Sequence, residues 1–378
     1  MSQMILRSIK GVDVTGKCVF LRTSLNVPIA ENGNVSDEYR LRCGLATLEL
    51  LASQGAKILL VGYIGREGGT LEPVAKALQA LVPIIPIAFT KTPIDDVAKE
   101  VDAIAPGSCL MLENMRHYPG EEKNDPELAK TLAQLTDIFV GDAFAEAHRP
   151  YASNVGVANL LPSYAGLLLE EEVQKLTEAL VPPAAALAIV GGAKFETKQP
   201  LLEKLLTVYP TVLLGGALAN DLLKVRGMPV GASLVSDQPV PEELAEDERV
   251  RMPDDVRVAE GEISRDAQTA DVRATEKIID IGPITEGDWS ARITAAEFVL
   301  WNGPMGVYEK GFMQGTDSLA EALVNSTCRA VIGGGDTAAA LAKFTFDPNR
   351  IFVSTGGGAM LEFLANGGNL PALEVLKA

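Results

Sequence analysis

The sequence predicts an α/β protein built as two doubly wound parallel-sheet domains joined by a hinge helix. Three observations carry that prediction. Short apolar runs recur along the chain, each ending in a polar or glycine-rich loop and followed by a helical pattern. A helical stretch closed by prolines sits midway along the chain. The 378 residues are enough for two domains with full cores.

In the first half, residues 18–21 (Cys-Val-Phe-Leu) read as a strand running into the loop Arg22-Thr23-Ser24-Leu25-Asn26-Val27-Pro28. Arg40 opens a helix that runs through Leu51. Residues 57–61 form the next strand, which ends in Gly62-Tyr63-Ile64-Gly65-Arg66-Glu67. Residues 72–81 are helical, with Pro73 tolerated in the first turn. Strands over 109–112 and 137–140 end in the loops 113–118 and 141–149. A parallel sheet binds ligands at the carboxyl ends of its strands. Arg66, Arg116 and Arg149 each follow a strand, and Arg40 follows a loop. In a chain of net charge −17, four convergent arginines point to a small anionic ligand, a phosphate or carboxylate gripped by guanidinium groups. Taken singly, each would read as a solvated or salt-bridged surface group.

Residues 167–180 form a helix that Val181-Pro182-Pro183 terminates. It reads as a rigid connector between domains, or as an ordinary surface helix. Beyond it, the strand 186–190 ends in Gly191-Gly192-Ala193-Lys194, with Lys198 four residues on and, in a helix, on the same face. Strands over 211–214, 330–332 and 350–353 end in Gly215-Gly216, Gly333-Gly334-Gly335-Asp336-Thr337 and Ser354-Thr355-Gly356-Gly357-Gly358. A strand over 298–300 ends in Trp301-Asn302-Gly303-Pro304. Glycines let backbone N–H groups face an anion, and a helix N-terminus adds positive dipole there. Four such turns and a Gly-Pro loop suit a polyphosphate nucleotide. Close helix–strand packing is the other use for such glycines. Asp336 is placed to hold magnesium or to cap its helix, and Thr337 to donate to a phosphate oxygen. The acidic stretch 236–256 reads as a solvated helix and loop. Neither G-x-x-x-x-G-K-[ST] nor G-x-G-x-x-G occurs, which argues against a P-loop enzyme and a dinucleotide dehydrogenase.

The acidic balance, with pI near 4.7, argues against nucleic-acid binding. Cys18, Cys43, Cys109 and Cys328 are scattered and form no C-x-x-C pair, so they read as reduced thiols and not as disulfides or a zinc site. No apolar run approaches the ~20 residues of a membrane helix, and residues 1–7 lack a signal peptide's apolar core. A cytoplasmic protein is expected, and a monomer, since nothing demands an oligomer.

With these residues in place, the chain resembles the phosphoglycerate kinases nearly end to end. The resemblance rests on 22–28, Gly65-Arg66, LENMRHYPGEEKND at 112–125, 141–149, 191–198, WNGPMGV at 301–307, GGGDT at 333–337 and STGGG at 354–358. It implies two Rossmann-like domains: 1–165 for phosphoglycerate, with the tail 364–378 packed back on it, a hinge helix at 166–180, and 181–363 for the nucleotide. The implied reaction is reversible phosphoryl transfer between 1,3-bisphosphoglycerate with MgADP and 3-phosphoglycerate with MgATP. Carried over residue by residue, Asn26, Arg40, Arg66, Arg116 and Arg149 hold the acid. Gly192, Lys198, Asn302, Glu309, Gly334, Gly335, Asp336 and Thr337 hold the nucleotide, with Glu309 at the ribose and Asp336 at magnesium. Lys194, Arg40 and the amides near Gly357 stabilise the group in flight.

That chemistry fits the residues. The acceptor is a carboxylate, ionised at neutral pH, so neither His117 nor His148 is needed as a base. Two positions depart from the family pattern. Ser24 stands where the family has Asp in Arg-Val-Asp-Phe-Asn, and Tyr63 where it has His in Ser-His-Leu-Gly-Arg-Pro. Both are substrate contacts in the family; Ser24 and Tyr63 retain hydrogen-bonding groups. The expectation is weaker or altered acceptor binding with the nucleotide site intact. The alternatives are a kinase for a different small anionic acceptor, or a non-catalytic nucleotide-binding paralogue.

Overall fold

The structure, a computed structural model, describes residues 4–65, 68–193 and 195–378, so the candidates Arg66 and Lys194 lie outside the described residues. The chain divides into two compact units, Met1–Gln174 with Gly368–Ala378, and Lys175–Gly367. Among the described residues, no helix is long and apolar enough to cross a membrane.

The first unit is built on β1 (Cys18–Thr23), β2 (Lys57–Val61), β3 (Ile87–Phe89), β4 (Cys109–Met111), β5 (Ile138–Asp142) and β6 (Ser163–Ala165). All pair in parallel, in the order β3-β4-β2-β1-β5-β6. Buried parallel strands read as continuous apolar runs, which is why β1, β2, β4 and β5 are legible in the sequence. Val19, Leu21, Ile58, Leu60, Met111 and Val140 pack with Leu48, Leu51, Val74 and Leu78 of the covering helices. Arg22 is level with Val61 and Gly141, and Thr23 with Asp142, so the loops after β1, β2 and β5 leave from one rim.

Three details differ from the sequence reading here. The helix expected from Arg40 to Leu51 is broken at Gly44 into Tyr39–Cys43 and Leu45–Ser53. A Cβ at Gly44 would lie 3.0 Å from Thr23 Oγ1, so the break lets the helix meet the strand closely. Strands β3 and β6 were not anticipated, being three residues each. And β5 runs on to Asp142, which carries that carboxylate into the interior at 0% exposure.

The second unit contains β7 (Ala186–Val190), β8 (Val212–Leu214), β9 (Val250–Arg251), β10 (Asp255–Glu260), β11 (Ile263–Gln268), β12 (Lys277–Ile281), β13 (Phe298–Asn302), β14 (Arg329–Gly333) and β15 (Ile351–Val353). Its main sheet is parallel, in the order β15-β14-β13-β7-β8-β9. Strands β10 to β12 form a separate antiparallel sheet, absent from the sequence reading. The acidic stretch 236–256 holds the expected helix, Glu242–Glu246, but then supplies β9 and the start of β10. Leu244, Ala245, Val250 and Val256 are buried, and Val256 packs with Val258, Ala267 and Val272. These apolar contacts override the local acidity.

The proline-bounded helix spans Leu167–Leu180, and the boundary between units falls inside it. Its first amides are held by the first unit: Leu167 N donates to Thr47 Oγ1 at 2.9 Å and Leu169 N to Asp142 Oδ1 at 3.1 Å. Gly166 precedes it because a Cβ there would lie 2.2 Å from that carboxylate oxygen. Burial pushes Asp142 up to about 7, against the pull of Thr47 and the helix amides. At the end of the chain, Arg7 N donates to Leu376 O at 2.9 Å, Ala372 N to Ala147 O at 3.1 Å and Ala378 N to Ile5 O at 2.9 Å, so the last segment is stitched into the first unit.

Candidate active site

In the first unit, β1 and β5 are neighbours, yet the chain visits β2, β3 and β4 between them. The strand order reverses at this pair, and open α/β sheets bind ligands at such points. Ser24 follows β1, and the loop after β5 supplies Glu146 and Arg149. Ser24 Oγ donates to Glu146 Oε2 at 2.7 Å, with both residues buried. Two residues on, Asn26 Oδ1 accepts from Gly65 N at 3.0 Å, and Asn26 O accepts from Arg40 Nη1 at 2.7 Å. The short stretch 24–26 thus ties together the loops after β1, β2 and β5 and the first helix. Asn26, Gly65 and Arg40 line a cleft of about 730 Å³ with Pro28, Thr70 and Pro73.

Beside this lies an aromatic and cationic cluster. The Arg116 guanidinium sits 4.0 Å from the centre of the Tyr63 ring, and that of Arg22 5.5 Å away. Tyr151 meets Tyr63 edge-on at 6.1 Å. Arg149 donates from Nη1 to Tyr151 Oη at 2.8 Å and from Nε to His148 Nε2 at 3.1 Å. Arg116 Nε lies 3.2 Å from Glu122 Oε1, an ion pair without hydrogen-bond alignment. Burial, reinforced by Glu146, pushes the Tyr63 phenol up to about 12, while Arg22, Arg149 and Arg116 oppose the shift. Burial, with Arg149 alongside, pulls His148 down to about 4, so its imidazole is neutral at pH 7 and accepts from Arg149. Arg116 and Arg149 are therefore brought together around Tyr63, while Arg40 is tied to Asn26 at the cleft. Sequence reasoning missed Arg22, Glu146 and Tyr151. Arg22 carried a signal, as a charge at the end of an apolar strand; Glu146 carried none.

The second unit repeats the device. β7 and β13 are adjacent, with β8 to β12 between them in the chain. Lys198, on the helix Phe195–Leu206 after β7, donates from Nζ to Gly191 O at 2.8 Å and to Asn302 Oδ1 at the end of β13. Asn302 Nδ2 donates to Gly333 O at 2.9 Å, and Gly303 N to Thr337 Oγ1 at 2.7 Å. Burial pulls Lys198 down to about 8, with Asp336 acting the other way. Thr337 is fully buried, its hydroxyl oxygen turned to the Gly303 amide, while Asp336, Gly335 and Glu309 are exposed. Tyr308 Oη donates to Asp336 Oδ1 at 3.1 Å. Gly192, Tyr308, Glu309 and Asp336 line a cavity of about 300 Å³ whose remaining wall includes Leu223, Val256 and Met305.

The glycines divide by use. A Cβ at Gly191 would lie 2.2 Å from Pro304 O, one at Gly303 2.2 Å from Gly191 O, and one at Gly216 2.6 Å from Gly192 N. These serve close backbone packing. Gly334, at φ +107°, turns the chain from β14 into the helix Gly335–Leu341. A Cβ on Gly335 would meet nothing within 4 Å, and one on Gly357 would lie 3.3 Å from Gly335 N. The N-termini of Gly335–Leu341 and Gly357–Ala365 thus come together.

A family model described as Phosphoglycerate kinase matches residues 9–367. The chain belongs to the phosphoglycerate kinase family. It is 40% identical over 393 aligned positions to a phosphoglycerate kinase of Moorella thermoacetica, covering 98% of each protein. The structure of a phosphoglycerate kinase from Coxiella burnetii matches with a TM-score of 0.83 at 37% identity, covering 98% of this chain and 99% of that one. One from Pyrococcus horikoshii OT3 matches with a TM-score of 0.86 at 28% identity, covering 98% of both. The two parallel sheets are thus those of phosphoglycerate kinases.

Among the described residues, no group of three or more His, Cys, Asp or Glu is placed to hold a metal ion. A magnesium ion bound to nucleotide phosphates keeps several waters and takes one or two carboxylates, and Asp336 offers one hard oxygen ligand at the cavity.

Proposed function

We propose that the chain works as an active glycolytic phosphoglycerate kinase, catalysing reversible phosphoryl transfer between 1,3-bisphosphoglycerate with MgADP and 3-phosphoglycerate with MgATP. The observation that supports this is the pair of rims, one at the order reversal of each parallel sheet, the first gathering Arg116 and Arg149 and the second Lys198 and the glycine turns. In the first unit Ser24, Asn26, Arg40, Tyr63, Arg66, Arg116 and Arg149 take the acid. In the second, Gly192, Lys198, Asn302, Glu309 and the residues Gly334, Gly335, Asp336 and Thr337 take the nucleotide.

The accepting carboxylate is ionised at neutral pH, so no base is required. Burial keeps His148 neutral, and it serves to orient Arg149. The work left to the chain is alignment and stabilisation of charge spread over the transferring group. Arg40, Lys194 and the amides around Gly357 supply the cationic and donor groups. Asp336 would hold the magnesium ion of the nucleotide, which when bound would neutralise phosphate charge. With the acid and the nucleotide on different units, transfer requires that they meet, and we assign that change to the helix Leu167–Leu180, where one unit passes into the other.

A coupled assay of ADP release from MgATP with 3-phosphoglycerate tests this reading. Turnover is expected, with a raised KM for the acid because of Ser24 and Tyr63. Turnover with another small acid and none with 3-phosphoglycerate would replace it by a kinase of different acceptor.

A further inference from the structure

We propose that Glu146 is the residue that makes this acceptor site select for a hydroxyl group, acting through Ser24. The inference rests on the phosphoglycerate reading above and adds a specificity element to it.

Three observations lead there. Ser24 and Glu146 come from loops after β1 and β5, the two strands that flank the order reversal of the first sheet. They lie 122 residues apart in the chain, yet Ser24 Oγ donates to Glu146 Oε2 at 2.7 Å. Both are almost closed to solvent, Ser24 at 1% and Glu146 at 2% exposure.

The other carboxylates nearby are engaged, Glu121 by Ser153 and Glu122 by Arg116 and Tyr151. Arg22, Arg116 and Arg149 bring guanidinium groups, which accept nothing. 3-Phosphoglycerate matches them with two anionic groups and carries one neutral donor, its 2-hydroxyl. A serine hydroxyl whose proton is committed to a carboxylate is polarised, and its lone pairs become a stronger acceptor. The chain O–H···Oγ(Ser24)–H···Oε2(Glu146) therefore receives the 2-hydroxyl in a dry setting, and no covalent bond changes. A site built to satisfy a hydroxyl rejects the analogue that lacks it, because its own buried polar groups are then left unpaired. Where the family pattern carries a carboxylate at position 24, this chain brings one in from position 146. Glu146 is on this view a positioning residue, separate from the groups that bind phosphate.

The test compares kcat/KM for 3-phosphoglycerate with that for 3-phosphooxypropanoate, the same acid without its 2-hydroxyl. The unmodified protein should prefer the hydroxy acid by about tenfold or more. Glu146→Gln should cut that preference at least about fivefold, and Ser24→Ala should do the same. Adding Ser24→Asp to Glu146→Gln moves the carboxylate back and should recover the preference. The melting temperature and the KM for MgATP report whether each variant is folded, and Ser24→Ala carries the test if Glu146→Gln is not. A preference that is absent in the unmodified protein, kept in the folded variants, or not recovered by Ser24→Asp would overturn the inference. Failure of the unmodified protein to use 3-phosphoglycerate at all would instead overturn the proposed function.

Discussion

Tyr308 Oη stands 3.1 Å from Asp336 Oδ1, a hydrogen bond between the loop after β13 and the helix after β14. Both residues line the same cavity of about 300 Å³. The phenol, raised to about 12 by burial and by Asp336, keeps its proton and so remains a donor. It fixes one carboxylate oxygen and thereby aims the other.

Tyr308→Phe removes that donor and leaves the ring. Groups that orient a metal ligand are worth roughly tenfold or more in affinity. Calorimetric titration with MgATP should show a loss of about that size, and a much smaller loss with ATP in EDTA. Equal losses with and without magnesium would show that Tyr308 does not act through Asp336.

Lys198 should give nucleotide binding a pH dependence. Burial lowers it to about 8, and an anionic ligand drives it back toward the charged form. Affinity is then full below 8 and falls as pH rises through it, by roughly tenfold between pH 7 and 9. Calorimetry at several pH values checks this, and Lys198→Met should bind more weakly at pH 7 with the dependence gone. A variant retaining the same slope would assign it elsewhere.

Two glycines should respond in opposite ways. Gly303→Ala places a Cβ 2.2 Å from Gly191 O at φ +100°, so a loss of about 2–4 kcal/mol is expected in urea unfolding. Gly335→Ala meets open space and should stay within about 0.5 kcal/mol of the parent. Its methyl group stands at the start of the helix Gly335–Leu341, so its cost should appear in the KM for MgATP. Comparable destabilisation by both would erase the division between packing and ligand glycines.

Asp142 sets a stability trend with pH. Its folded value near 7 exceeds the unfolded value of about 3.9, so the folded chain holds the proton more tightly. The stabilising contribution is full below about pH 4 and lost as pH rises through 7. Asp142→Asn, which cannot titrate, should therefore gain on the parent between pH 5 and 7.5, by about 2–3 kcal/mol at most. A constant difference between the two across that range would count against a protonated Asp142.

The fold was legible wherever burial on both faces left an uninterrupted apolar run. The boundaries 57–61 and 186–190 coincide with β2 and β7 for that reason. Three-residue strands such as Ile87–Phe89 carry too little pattern, and β10 to β12 mix charges with scattered buried aliphatic residues. At the candidate site, charge and glycine position singled out loops that the structure gathers at the order reversals of the two sheets. What stayed hidden depends on meetings across the chain. Glu146 reaches Ser24 from 122 residues away, Tyr308 reaches Asp336 from 28, and the shift of Lys198 exists only once the helix is buried. No local pattern encodes such encounters.

The stitching of residues 5, 7 and 147 to the final segment bears on how the protein is made. Synthesis runs from the N-terminus, so the first unit leaves the ribosome early yet cannot close its structure until the last eleven residues, Gly368–Ala378, are released. The second unit, Lys175–Gly367, is continuous and has all its parts beforehand. The later-translated unit is thus free to finish folding first, with the earlier one waiting for its closing strap.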